Sequence, residues 1–321
     1  MLRIITFLLI ACISALAQAQ TFPSRQIHIV VPYPPGGTND VFARLVADQM
    51  TSSFAQRTIV ENRPGAQGIV GSEYVARSPA DGHTLLLGGV ATHSTNPHLI
   101  KDLKYDPFRD FVPVSLVASF GNVLVVHPKV PVNTISEFIA YAKANPGKLN
   151  FGIVGVGSSM SLAGELFKAG TGVNIVPINY KGSALAVTDL VGGQIESMFA
   201  NIVSVVSNVN AGKLRALGVT ASARDPLLPL VPTIAEAGVP GYELTSWSGL
   251  FAPAGTPAPV VERIAKEVQN MVANAEVRKR FSDVGATPGG TSPAAFADFV
   301  KKDYDVMGKL VREQGLKIEP N

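Results

Sequence analysis

Cysteine is almost absent: Cys12 is the only one in 321 residues. A small secreted scaffold held by disulfides is therefore excluded, and stability has to come from a hydrophobic core. No apolar run beyond the first twenty residues approaches the roughly 20 residues that a membrane-spanning helix needs. Charge is sparse as well, with 27 Lys and Arg against 24 Asp and Glu, a net charge of +3 and no basic cluster. Nucleic acid is set aside as a partner, because its recognition requires a concentrated basic face. The histidines (His28, His83, His93, His98 and His127) make no H-E-x-x-H and no compact ligand set. No metal site is expected, and the closeness of His93 to His98 fits a loop turn.

What is present is apolar material: 46% of residues are hydrophobic and only 16% charged. A chain of this length can build two domains with real cores. It opens MLRIITFLLIACISALAQAQ, with basic Arg3, an apolar run from Ile4 to Ile13 and small residues ending Ala17-Gln18-Ala19. This fits a secretory signal spanning residues 1–19, cleaved after Ala19. The run is short for a membrane anchor. Leu9-Ile10-Ala11-Cys12 also resembles a lipoprotein box, which would leave Cys12 lipidated after an unusually short signal. Cleavage after Ala19 would give a cysteine-free, soluble mature chain, suited to the bacterial periplasm.

Short β-branched runs alternate with helical patterns along the chain, as in "QIHIVVPY", "HTLLLGG", "KLNFGIVG" and "VNIVPINY". Strands alternating with helices of about ten residues define an α/β class with largely parallel sheets. Phe42, Leu45, Val46 and Met50 mark one buried helical stripe, and Val260, Ile264, Val268 and Met271 another. Two runs break the alternation: "LVASFGNVLVVHP" and "YELTSWSGLFAPAGTP" are extended, carry an embedded glycine and lack a following helix in register. If these are crossings, one domain comprises residues 22–120 plus 248–321 and the other residues 121–247. Two crossings make a hinge, and clefts between domains are common small-molecule sites. A plain pair of strands within one sheet is the alternative.

Two loops share one design. In "VVPYPPGGTNDVFARLV" and in "NFGIVGVGSSMSLAGELF" a strand ends in glycines, hydroxyl or amide residues follow, and an amphipathic helix begins. The first N–H groups of a helix have no intrahelical partner and carry an effective charge of about +0.5, so they attract an anion without a cationic side chain. Thr38, Asn39, Asp40, Ser158 and Ser159 are good N-cap types. Neither loop has the lysine of a Walker motif, and "GVGSSM" puts Met160 where a dinucleotide fingerprint needs glycine. A carboxylate suits donors that are only N–H and O–H. Ordinary βα turns, which glycine also favours, remain open on spacing alone.

No catalytic constellation is found. "SWSGLF" around Ser248 lacks the first glycine of a nucleophile elbow, Trp247 reads as a packed aromatic, and Asp40 has no partner acid or nucleophile nearby. No catalytic residue and no cofactor are expected. A periplasmic hydrolase or isomerase of organic acids is the alternative, and a ligand sensor for a membrane signalling protein is a third class.

Taken together, "FPSRQIHIVVPYPPGGTNDVFARLVA", "IVENRPGAQGIVGSEYVARSPADGHTLLLG", "INYKGSALAVTDLVGGQIESMF" and "VPTIAEAGVPGYELTSWSGLFAPAGTPAPVV" resemble the Bug family of periplasmic receptors for tripartite tricarboxylate transporters. The likeness runs from Phe22 to the C-terminus. It implies a two-domain periplasmic-binding-protein (Venus flytrap) α/β fold with two interdomain crossings, a small organic carboxylate as ligand, integral membrane transporter subunits as partners, and a monomer. By the same resemblance, the ligand-binding positions are Tyr33, Gly36, Gly37, Thr38 and Asp40 in the first loop and Gly157, Ser158 and Ser159 in the second. Thr92, Tyr180, Lys181 and Asn201 are further cleft positions. Two departures stand out: Met160-Ser161 where the family often has Gln-His, and Ala200 where it often has Asp. Both remove polar groups from the second domain's side, which implies a less polar distal pocket.

Overall fold

The computed structural model describes residues 22–313 and 315–316. The expected signal, residues 1–19 with Cys12, lies outside the described residues. So do residues 314 and 317–321 of the expected first domain.

The β-branched run Ile27–Val31 forms β1, and the Pro/Gly loop after it delays the helix until α1, Thr38–Phe54. The expected stripe Phe42, Leu45, Val46 and Met50 is buried. Each such side chain contributes about 1.5–3 kcal/mol on burial. The chain continues through β2 (Thr58–Asn62), α2 (Ile69–Ala76) and β3 (Thr84–Gly89). β2 and β3 flank β1 in parallel, as βαβ units require.

The sixteen-residue β4, Phe111–Val126, breaks that pattern. It is followed by α3 (Ile135–Ala144), β5 (Asn150–Ile153), α4 (Ser159–Thr171), β6 (Val176–Asn179), α5 (Ser183–Val191), β7 (Ser197–Asn201), α6 (Ile202–Asn210) and β8 (Arg215–Val219). β9 (Thr245–Pro253), α7 (Ala258–Ala273), α8 (Ala275–Ser282), β10 (Ala286–Pro288) and α9 (Pro293–Glu313) complete the described chain. One sheet holds β2-β1-β3-β9 and the first part of β4; the other holds the rest of β4 with β7, β5 and β6. β4 changes partner between Gly121, paired with Thr245 of β9, and Asn122, paired with Asn201 of β7.

The outer strands are parallel as expected, but every pairing of β4 and β9 described is antiparallel. These strands carry the chain out of one sheet and back, so neither has the crossover helix that parallel pairing demands. A second difference lies in α7. Val261, Ile264, Val268 and Met271 are buried, whereas Val260 is half-buried at the edge. Spacings of three, four and three residues track a 3.6-residue period better than a start at Val260. Among the described residues, no helix is long and apolar enough to cross a membrane.

Candidate functional site

Three helices begin at one cavity of about 360 Å³: α1, α4 and α5 contribute Thr38, Ser159 and Ser183 to its wall. α1 and α5 start from Gly37 and Gly182, with no side chain capping their free N–H groups. α4 starts from Ser158, whose hydroxyl accepts the Ser161 N–H at 3.2 Å. Glycine keeps these approaches tight. A Cβ at Gly37 would stand 3.3 Å from the Ser183 hydroxyl, and one at Gly182 would stand 3.2 Å from Pro34 Cγ.

A buried network joins the two sheets at the floor. Asn201 donates through Nδ2 to Thr38 Oγ1 at 3.1 Å. Its Oδ1 accepts from Asn122 Nδ2 at 2.9 Å and from the Ser159 hydroxyl at 3.3 Å. Asn122 in turn accepts from Ser246 Oγ at 3.0 Å, and Ser248 Oγ donates to Asn39 Oδ1 at 2.8 Å. Further out, the Thr95 hydroxyl donates to the Gly157 carbonyl oxygen at 2.7 Å. The loops of the two sheets thus meet around the cavity.

Of the expected residues, Tyr33, Gly37, Thr38, Ser158, Ser159, Lys181 and Asn201 line the cavity. Gly36, Asp40, Thr92, Gly157 and Tyr180 do not. Asp40 turns into the protein, where its carboxylate accepts from Gly36 N at 3.1 Å, from Asn62 Nδ2 at 3.0 Å and from both Arg44 Nε and Nη2. Burial works to raise its pKa, but the hydrogen bonds from Arg44, Gly36 and Asn62 and the Arg44 charge outweigh it and hold the carboxyl below its ordinary value. Asp40 therefore braces the loop, with Gly36 in the left-handed region at φ +81° to bring its N–H round. Thr92 is fully buried, its hydroxyl tied to Gly89 N at 3.0 Å and to His93 Nδ1 at 2.9 Å. Gly157 faces Thr95 and Leu99. The Tyr180 hydroxyl donates to Asp189 at 2.8 Å, and burial with that neighbouring carboxylate pushes its pKa up to about 12.

Sequence reasoning passed over Asn122 and Ser246, and gave Asn39 only as an N-cap type and Trp247 only as a packed aromatic. A polar Asn122 inside the apolar run "FGNVLVV" and serines alternating around Trp247 in "TSWSG" were the available signals. Trp247 is packed as expected, against Phe251, Phe296 and Phe299, but it also lines the cavity. Its indole N–H donates to Asp303 at 2.8 Å.

Among the described residues Lys181 is the only charged side chain lining the cavity, and it is exposed. The remaining polar groups there are neutral, and Val154, Met160, Leu185 and Phe120 supply apolar wall. Of the two departures noted in the sequence, Met160 faces the cavity, whereas Ser161 and Ala200 are buried and do not line it. Met160→Gln is expected to raise the affinity for a polar ligand relative to one with an apolar body at least fivefold, measured by calorimetry. An unchanged ratio would take Met160 out of ligand contact.

This assembly of two α/β domains around a ligand-sized cleft is the architecture of periplasmic binding proteins. A sequence profile described as "Tripartite tricarboxylate transporter family receptor" matches residues 42–316. Protein BugT of Bordetella pertussis is 36% identical over 314 residues, covering 98% of this chain and 96% of its own. Among solved structures, R. palustris Rpa4515 with adipate superposes with a TM-score of 0.90 at 37% identity, over 92% of this chain and 99% of that one. MatC of Rhodopseudomonas palustris with bound malate gives 0.86 at 34% identity, over 90% of this chain and 100% of that one. The chain belongs to the tripartite tricarboxylate transporter receptor family, to which the Bug proteins also belong.

Proposed function

We propose that this chain is a periplasmic receptor that captures a small organic carboxylate with an apolar body and delivers it to the membrane subunits of a tripartite tricarboxylate-type transporter. One observation carries the reading: three helix N-termini, two of them without side-chain caps, converge on a cavity whose other polar groups are nearly all neutral. Such N–H groups favour an anion, and they do so most strongly where water is excluded. Apolar walls at Val154, Met160 and Leu185 favour a hydrocarbon body behind the acid group. Relatives determined with adipate and with malate support the class of ligand.

The mechanism is capture by closure. Residues 22–120 plus 248–321 act as one domain and residues 121–247 as the other. The first presents the N–H groups of Thr38 and Asn39, and the second completes the cage with Ser158, Ser159 and the start of α5. A ligand drives closure only by its differential affinity for the closed form. The receptor performs no chemistry on the acid: Ser248 is bonded to Asn39 and Asp40 to Arg44, so neither is set up as a nucleophile or base. It works as a monomer and needs no cofactor.

A thermal-shift panel on ligand-stripped protein tests this, with adipate, malate, tricarboxylates, acidic amino acids, aromatic acids, sugars and nucleotides. A ligand at a hundred times its Kd adds about 2.7 kcal/mol, which raises Tm by several degrees. Stabilisation confined to carboxylates is the expected result. Stabilisation by nucleotides, or turnover of a stabilising acid, would overturn the reading.

A further inference from the structure

The apolar stripe of α9 is interrupted by an acid. Phe296, Val300, Met307 and Val311 are buried, and Asp303 falls between the middle two, three residues after Val300 and four before Met307. That is a core position on a 3.6-residue period. An acid there is costly unless something uses its oxygens. Among the described residues no cation acts on this carboxyl: burial pushes its pKa up, and only the neutral donors Ser94 and Trp247 work to lower it. Both belong to segments that build the ligand cavity. The indole N–H of Trp247 reaches Asp303 Oδ2 at 2.8 Å, and Trp247 and Ser246 of β9 line the cavity. Ser94 lies in the helical turn Val90–Thr95, whose Val90 and Ala91 line it too; its own hydroxyl is buried without a well-formed hydrogen bond. The two segments press together here. Gly89 pairs with Ser248 where β3 meets β9, and a Cβ on Gly89 would stand 2.5 Å from the Trp247 carbonyl oxygen. α9 also grips the chain just past the turn, where His98 Nε2 lies 3.0 Å from the Tyr304 carbonyl oxygen.

We propose that Asp303 is a positioning residue for ligand recognition: from behind the cavity wall it fixes the Trp247 indole beside the turn Val90–Thr95, and so sets the contour that the ligand's apolar body meets. The inference rests on the proposed carboxylate binding for the class of ligand. Trp247 packs edge-on against Phe296 and Phe299. Those contacts keep the ring in its layer, but dispersion has little directionality. A hydrogen bond to a carboxylate is directional and holds the ring at one angle. A wall that is already fixed needs no ordering when the ligand arrives, so affinity is higher without any contact between Asp303 and the ligand.

Asp303→Leu completes the apolar stripe and removes both acceptor oxygens, whereas Asp303→Asn keeps one. Trp247 is the chain's single tryptophan, so the indole band of the near-ultraviolet circular dichroism reports on that ring alone. Without ligand, Asp303→Leu is expected to lose about half of that band or more, and Asp303→Asn to keep it. Calorimetry with adipate as probe, on variants shown by urea titration to be fully folded, should give at least a fivefold loss of affinity for Asp303→Leu and less than twofold for Asp303→Asn. A cycle with Trp247→Phe, which has no N–H to hold, separates positioning from a merely structural role. In that background Asp303→Leu should cost less than twofold. Equal losses in both backgrounds, or a wild-type band with wild-type affinity in Asp303→Leu, overturn the proposal. Asp303→Ala repeats the test if leucine prevents folding. Failure of wild type to bind adipate or any other acid would count against the carboxylate reading; the indole band, read without ligand, then decides for or against Asp303 by itself.

Discussion

Asn201→Leu is expected to weaken binding of the best carboxylate at least thirtyfold while both sheets stay folded. Asn201 is 8% exposed and holds three partners at once, Thr38, Asn122 and Ser159. Leucine fills a similar volume but leaves Thr38 Oγ1 without its donor and the Ser159 hydroxyl without its acceptor, while Asn122 keeps the Phe199 carbonyl, a long contact to Ser159 Oγ at 3.5 Å and the hydrogen bond that it accepts from Ser246. Each buried polar group left unmatched costs about 1–3 kcal/mol, and each 1.4 kcal/mol is about tenfold in affinity. Thr38 and Ser159 both line the cavity, so most of that cost falls on the closed, ligated form. Trp247, the chain's single tryptophan, lies in the wall and gives a fluorescence titration to follow it. Tyr180→Phe serves as the control: its hydroxyl serves Asp189, and affinity should move less than twofold. A loss below threefold in Asn201→Leu would remove this network from ligand recognition.

The contrast between Asn201 and Asp40 explains what could be read in advance. Helices and strands were legible because periodicity is local: Phe42, Leu45, Val46 and Met50 declare one face of α1 without reference to the rest of the chain. The crossings were legible as well, since "LVASFGNVLVVHP" and "YELTSWSGLFAPAGTP" are extended, carry an embedded glycine and lack the helix that a regular βαβ unit requires. Which loop side chains reach the cavity was not legible. Gly36 at φ +81° turns its N–H toward Asp40, and that single backbone choice takes the carboxylate out of the cavity and gives it to Arg44 and Asn62. Residue types alone do not display such a choice. Asn122 and Ser246 stayed hidden for a different reason. They are 124 positions apart and meet only because β4 and β9 run side by side through the hinge. The distinction between Val260 and Val261 was a matter of phase, settled when Pro257 sets the start of α7.

Stability is expected to fall as pH drops below about 6.5, and His93 is the main cause above the carboxylate range. Its ring is fully buried, stacked on Phe251 with centroids 3.7 Å apart, and crossed edge-on by Phe111. Nδ1 lies 2.9 Å from the Thr92 hydroxyl, while Nε2 is buried with no partner. Burial pushes the pKa down from 6.5 to about 3. The folded protein therefore binds this proton more weakly than the unfolded chain. The stabilising difference is complete above pH 6.5 and is lost progressively as pH falls toward 3, at about 1.4 kcal/mol per unit. Urea unfolding should show a loss of about 2–3 kcal/mol between pH 6.5 and 4.5, on the same slope. Asp303, near the same packing, works in the opposite sense: burial raises its carboxyl pKa, so acid favours the folded state there, but only near the carboxylate range. His93→Gln removes the titration and should flatten the profile across that window, at the cost of some stability at pH 7. The functional consequence follows from position. His93 lies in the helical turn Val90–Thr95, whose Val90 and Ala91 line the cavity and whose Thr95 bonds Gly157 across the cleft. Protonating His93 would loosen the first domain's side of that bond, so wild-type affinity should fall with acid more steeply than that of His93→Gln. Equal slopes for the two proteins would mean that His93 is hydrated in solution and that acid acts on the cleft through other groups.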